Sequence, residues 1–192
     1  YTSGFGLLLA QKQGAVHLAF TLALVFLLYP ASSKQSKTSG IPFYDFILAG
    51  LGVASAMYLV VFFNDLVTRA GLPTTVDLVM GFVLIATLLE ATRRISNPVL
   101  PCLAVVALLY CYFGRYMPQM LAHRGFSVAR IVNHMYLGTE GIFGTPLEVS
   151  STFVFMFILF GSVLEKTGLG RFIIDLSMAL AGWSTGGPRK SR

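Results

Sequence analysis

Five uncharged, largely apolar runs set the strongest limit on what this chain can fold into: residues 13–33, 46–64, 78–89, 95–114 and 149–164, here blocks A to E. A helix needs about 20 apolar residues to cross a hydrocarbon core roughly 30 Å thick. Blocks A and B have the length for it. Block C does not, since Asp77 and Glu90 bound it. Between two clear spans it reads as a short or partly re-entrant span with its charges at the interface. Charged residues make up only 11% of the chain, against about 25% in an ordinary soluble domain. So sparse a polar surface cannot face water all round. The fold class expected is all-α: a polytopic transmembrane helical bundle.

Local signals punctuate the blocks. Residues 1–11 read as a short surface or loop segment, and Pro30 ends block A. Pro73 and Thr75 supply start signals for block C. Asn97 followed by Pro98 reads as an N-cap and a first-turn proline for block D. Gly168 is a stop for block E. Between D and E the pattern changes. Val128, Ile131, Val132, Met135 and Tyr136 repeat at helical spacing, with Arg130, Asn133 and His134 on the other face. Ser127 caps this segment, Phe126 staples onto Ile131, and Gly138 ends it. The spacing predicts an amphipathic helix on the membrane surface or packed on the bundle. The stretch 172–183 is apolar but short, and Gly182, Gly186, Gly187 and Pro188 break it. One arm of a helix that enters and turns back, or part of an ordinary span, both fit.

The net charge of +6 does not imply a nucleic-acid partner. The basic residues stand singly or in pairs at block ends, where they anchor spans to the membrane surface. Lys34, Lys37, Arg93, Arg94, Lys166 and Arg171 then fall on one side if all blocks cross, and the positive-inside rule makes that side cytoplasmic. No cleavable signal peptide is evident. Cys102 and Cys111, nine residues apart in one block, lie on opposite helix faces and form no disulfide. His17, His123 and His134 lack partners at ligand spacing, so no metal site is expected. No nucleophile elbow, phosphate loop or dinucleotide fingerprint occurs, and no polar cluster suited to catalysis gathers at a membrane face. Ser150 and Ser151 read as small residues for helix packing.

The charges closest to the apolar blocks are Asp77, Glu90, Arg93 and Arg94. Ionisable residues inside spans are functional candidates by default. Standing at block ends, these need not be deeply buried. Glu90 reaches Arg93 at i+3 and Arg94 at i+4, so a structural pair at the interface is favoured, with one arginine on Glu90 and the other reaching lipid phosphates. Gly141 and Gly144 allow a tight turn or a close backbone approach at a junction.

Six strings in fixed order carry a resemblance: HLAFTLALVFLLYP (17–30), IPFYDFILA (41–49), RAGLPTTVDLVMG (69–81), LLEATRR (88–94), EGIFGTPLEVSSTFVFMFILFGSVLEKTG (140–168) and AGWSTGGPRK (181–190). Together they resemble the fused permeases of TRAP (tripartite ATP-independent periplasmic) transporters, in particular those working with TAXI-type binding proteins. In that family a small four-helix part joins a large part that carries sodium and substrate. The resemblance implies small-subunit-like helices and a joining helix over 1–117, an interfacial connector over 118–139, and the start of the large subunit over 140–192. It implies that the chain is the front part of such a permease, with one helix upstream and the substrate and sodium hairpins downstream. It further implies uptake of an organic solute, an organic acid by class, with a periplasmic solute-binding protein, the remainder of the permease, a cation gradient and a bacterial or archaeal cytoplasmic membrane. No cofactor is implied beyond a sodium ion for the complete transporter. Two positions depart from the family pattern: Gly14, where a basic residue is usual, and Arg189, where a small one is. A non-transporting membrane scaffold is the alternative.

Overall fold

The structure, a computed structural model, describes residues 10–29, 42–69, 72–118 and 121–181. Every regular element among them is helical. The helices are α1 (Ala10–Leu28), α2 (Phe43–Val61), α3 (Phe63–Thr68), α4 (Thr75–Ile95), α5 (Val99–Phe113), α6 (Val128–Leu137), α7 (Thr145–Val149), α8 (Phe155–Thr167) and α9 (Leu169–Ala181). Among the described residues five segments are long and apolar enough to cross a membrane: α1, α2, α4, α5 with the turn after it, and residues 145–167. The chain is therefore an all-α polytopic membrane protein. It forms two compact units, residues 1–151 and 152–192.

The core of the first unit follows from one stripe per helix. On α1, Ala15, Leu18, Ala19, Leu22, Val25 and Phe26 recur every three or four residues and are buried, mainly on α2. The facing stripe of α2 is made of small residues, Ala49, Gly52, Ser55 and Ala56. A Cβ on Gly52 would lie 3.2 Å from Leu22 Cδ1, so glycine sets how close these helices come. On α4 the stripe is Asp77, Gly81, Leu84, Thr87 and Ala91. A Cβ on Gly81 would meet Val132 Cγ1 at 2.6 Å and Tyr136 Cβ at 3.0 Å. Gly81 is thus the seat on which α6 docks. The amphipathic helix is present with its Ser127 cap, whose side chain accepts from the Arg130 N–H. It packs on the bundle through Val132 and Tyr136 and leaves Val128 exposed.

Several boundaries differ from the sequence expectation. Block C is not short or re-entrant. α4 has 21 residues and takes Asp77, Glu90, Arg93 and Arg94 inside the helix, because each carboxylate and guanidinium finds a partner there. Its cap is Thr74, not Thr75. Thr74 and Asp77 form a reciprocal capping box. Block B breaks at Phe62 before α3. At α5 the cap position is Pro98, and no side chain caps it. The helix of block E begins at Thr145, with Pro146 in the first turn, where a missing N–H costs nothing. It passes through a π-helical turn at Ser150–Val154, for which the sequence carries no mark. Gly168 ends α8 in the left-handed conformation, φ 73°, as expected. Helix α1 already includes Ala10 and Gln11, otherwise read as loop. Helix α9 has 13 residues, and Gly182, Gly186, Gly187 and Pro188 lie outside the described residues.

Contacts at the two ends fix the directions of α1, α2 and α4. The end of α1, the start of α2 and the end of α4 meet around Arg94. The late part of α2 and the start of α4 meet at Tyr58 and Asp77. Helices α1 and α4 therefore run together, with α2 antiparallel. Gly81→Leu is expected to push α6 off α4 and cost about 1–3 kcal/mol of stability, measured by denaturation in detergent, while Gly50→Leu, in open space, changes it little. In a Cys102→Ser, Cys111→Ser background, an impermeant maleimide added to intact cells should label Thr139→Cys and spare Asn97→Cys; the reverse pattern contradicts the orientation.

Candidate functional site

Arg94 organises one end of the first unit. Its side chain is 1% exposed and reaches Asp45 Oδ1 at 2.7 Å and Glu90 Oε1 at 3.0 Å. Nη1 donates to the backbone carbonyl of Tyr29 at 3.1 Å. The guanidinium also stands 4.8 Å from the centroid of the Phe26 ring. One cation thus ties together α1, α2 and α4. The Asp45 contact is ionic rather than an aligned hydrogen bond, since Oδ1 has no partner of hydrogen-bond geometry. Arg93 grips the outer side of Glu90 with two bonds of 2.7 Å and is half exposed. Two cations and two carboxylates make a neutral group at the end of apolar helices. Asp45 sits in the first turn of α2 and both arginines in the last turn of α4, where the helix dipoles favour each sign.

The structure brings together Glu90, Arg93 and Arg94 as the spacing predicts, with one change. Both arginines bind Glu90, and Arg94 turns inward while Arg93 stays half exposed. Deep burial is tolerated because Asp45, which sequence reasoning missed, supplies the second negative charge. A signal for it existed. An acid in the first turn of a helix faces a basic pair in the last turn of its neighbour when the two are antiparallel.

The opposite end holds Asp77, also buried at 2% exposure rather than at a wet boundary. Its Oδ2 accepts from the Thr74 N–H at 2.8 Å, and its Oδ1 accepts from the Tyr58 hydroxyl at 2.7 Å. Next to it the fully buried Tyr136 donates to the Ser55 carbonyl at 2.7 Å, fastening α6 to α2. Burial pushes the Tyr136 phenol well above its ordinary value. Gly141 and Gly144 follow α6. The Ile142 N–H bonds to the Met135 carbonyl at 2.9 Å, and a Cβ on Gly141 would lie 2.4 Å from that oxygen. Only glycine permits this approach, which folds the chain back so that Phe143 covers Tyr136. Ser151 is buried. Its hydroxyl donates to the Glu148 carbonyl, and its own carbonyl accepts from Gln13 Nε2. A cleft of about 390 Å³ opens at this end, lined by Gln11, Phe63, Leu66, Arg130, Asn133 and His134 among others. Gly186 and Gly187 lie outside the described residues. Among the described residues no three His, Cys, Asp or Glu side chains gather at metal distance.

Chemically, these groups neutralise and position one another; none is poised as an acid, base or nucleophile. The class so defined is a multi-pass helical membrane protein whose polar residues hold helix ends in place. The family model described as the tripartite ATP-independent periplasmic transporter, DctM component, matches residues 82–191, more than half of the chain, and the chain belongs to that family. That family is a transporter permease component, not an enzyme class. No curated protein and no solved structure matches the chain.

Breaking a buried ion pair from one side costs about 3–5 kcal/mol. Arg94→Gln, which strands Asp45 and half of Glu90, should therefore fall in that range by detergent denaturation. Glu90→Ala should cost less, because its side chain is 27% exposed and Asp45 still faces Arg94. Asp45→Asn combined with Arg94→Gln should recover part of the single-variant loss. Additive losses would show that the two are not coupled.

Proposed function

We propose that the chain supplies the supporting front part of a TRAP-type secondary transporter that takes up an organic solute, an organic acid by class. It works with a periplasmic solute-binding protein and the remainder of the permease, and a cation gradient, sodium by preference, drives it. The setting is a bacterial or archaeal cytoplasmic membrane, and a TAXI-type binding protein is the partner the sequence strings favour. In this reading 1–117 acts as the small-subunit-like part and joining helix, 118–139 as the connector, and 140–192 as the start of the large subunit. The family match carries the reading. The geometry supports the supporting role: Arg94 on α4 pairs with Asp45 on α2, Asp77 on α4 binds Tyr58 on α2, and Glu90 and Arg93 pair within α4. A transport site needs polar groups left over to bind an ion or a solute.

The second reading, a membrane scaffold with no transport path, draws on the same internal pairing. Reconstitution separates the two. Proteoliposomes with this chain alone should show no sodium-driven uptake of organic acids above empty vesicles. Co-reconstitution with the remaining permease and its binding protein should restore uptake, and omitting this chain should abolish it. Uptake without the chain overturns the supporting role; uptake by the chain alone overturns the assignment of the site to other parts.

A further inference from the structure

A second surface shares Arg130 and His134 with the polar cleft. Helices α4, α5 and α6 enclose a groove of about 480 Å³ whose walls are apolar: Phe82 and Ile85 from α4, Leu109 and Phe113 from α5, Ile131 and Val132 from α6. Its side chains are open rather than core, with Phe82 62% and Leu109 49% exposed. The α5 wall runs from Val105 to Phe113, about 12 Å at 1.5 Å per residue. One leaflet's share of the hydrocarbon core is about 15 Å. The groove begins part-way along two membrane-crossing helices and ends at Val128, Ile131 and Val132 of α6.

At that end the chemistry changes over a single residue. Ile131 lines both the groove and an adjoining pocket of about 340 Å³, whose wall includes Arg130 and His134. These two stand one turn apart on α6 and both are exposed. The Arg130 guanidinium lies 5.4 Å from the Phe126 ring centroid, which holds it at the mouth. Unlike the arginines at the opposite end, it has no carboxylate partner within ion-pair distance among the described residues. Through the shared Ile131, one surface offers a leaflet-length apolar channel with a guanidinium and an imidazole beside it.

We propose that this groove is a phospholipid site, with an acyl chain along Phe82, Ile85, Leu109 and Phe113 and the phosphate on Arg130 and His134. The occupant is set by complementarity at both ends. A transmembrane helix from elsewhere would fill the apolar channel but leave the two basic donors unmatched, and a free anion would match the donors but leave the channel open. A phosphodiester on a hydrocarbon tail satisfies both, and Arg is well suited to grip its oxygens. Filled, the site would press α6 onto Gly81 and stiffen the joint between α4, α5 and α6. The proposal stands apart from the transport reading, because it requires only a membrane-embedded chain.

The test is native mass spectrometry of the full chain, delipidated in detergent and titrated with 1-palmitoyl-2-oleoyl-phosphatidylglycerol or, separately, with inorganic phosphate. The wild type should take up one lipid ahead of any further adducts and no phosphate. Arg130→Gln with His134→Gln should weaken the first adduct about tenfold. Leu109→Trp, which fills the channel and leaves both donors intact, should weaken it similarly. All three positions are exposed, so the variants should keep the wild-type circular dichroism. Arg171→Gln serves as the control and should bind as the wild type. Equal lipid binding by every variant, phosphate adducts without lipid, or a lipid-free dimer through this face would each overturn the proposal.

Discussion

The Arg94 guanidinium cannot enter an apolar helix end unless counter-charges and acceptors surround it, and that requirement governs how the first unit closes. Desolvating a cation costs several kcal/mol, which is offset only by close, well-placed partners. Here they come from three helices: Asp45 on α2, Glu90 on α4 itself and the carbonyl of Tyr29 after α1. The arrangement fixes register as well as proximity. A one-residue slip of α2 turns Asp45 by about 100° around the helix and takes it off the arginine. Apolar stripes alone would tolerate such sliding far better, since one aliphatic contact is much like the next.

The two ends of the bundle solve the same problem with different materials. At the Arg94 end full charges cancel. At the other end Asp77 is held by a backbone N–H and a tyrosine hydroxyl, and Tyr136 by a backbone carbonyl. Between them the stripes use small residues, so that Gly52 and Gly81 set helix separation. Sliding is resisted at the ends and spacing is set in the middle. This division suits a membrane protein, in which hydrophobic burial drives helices into the bilayer but does not choose between their contacts.

Much of this was legible in the sequence, and the failures share a cause. The long uncharged runs gave spans, the 3.6-residue repeat gave α6 with its Ser127 cap, and the i+3 and i+4 spacing gave the Glu90 pairings. Block C departs from its expected length because an uncharged run and a helix need not share their ends. A charge counts as a boundary only if it faces lipid or water, and Asp77 and Arg94 face other helices. Asp45 escapes a reading of local patterns for a related reason: its partner lies 49 residues away, and the antiparallel packing of α2 on α4 brings them together. The π-helical turn at Ser150–Val154 has no residue signature at all. Local patterns report on local bonds, whereas the buried ion pair is a property of three helices at once.

The central claim is that one guanidinium, through its specific geometry, holds three helix ends together. Arg94→Lys tests it directly, because an ammonium keeps the charge but cannot serve Asp45, Glu90 and the Tyr29 carbonyl in one plane. The measurement is backbone hydrogen exchange in detergent, read by peptide. The account predicts faster exchange in Arg94→Lys together at residues 26–29, 43–48 and 88–96, with residues 54–60 and 128–137 unchanged. Exchange as slow as in the wild type at all three helix ends, or confined to 88–96, would contradict it.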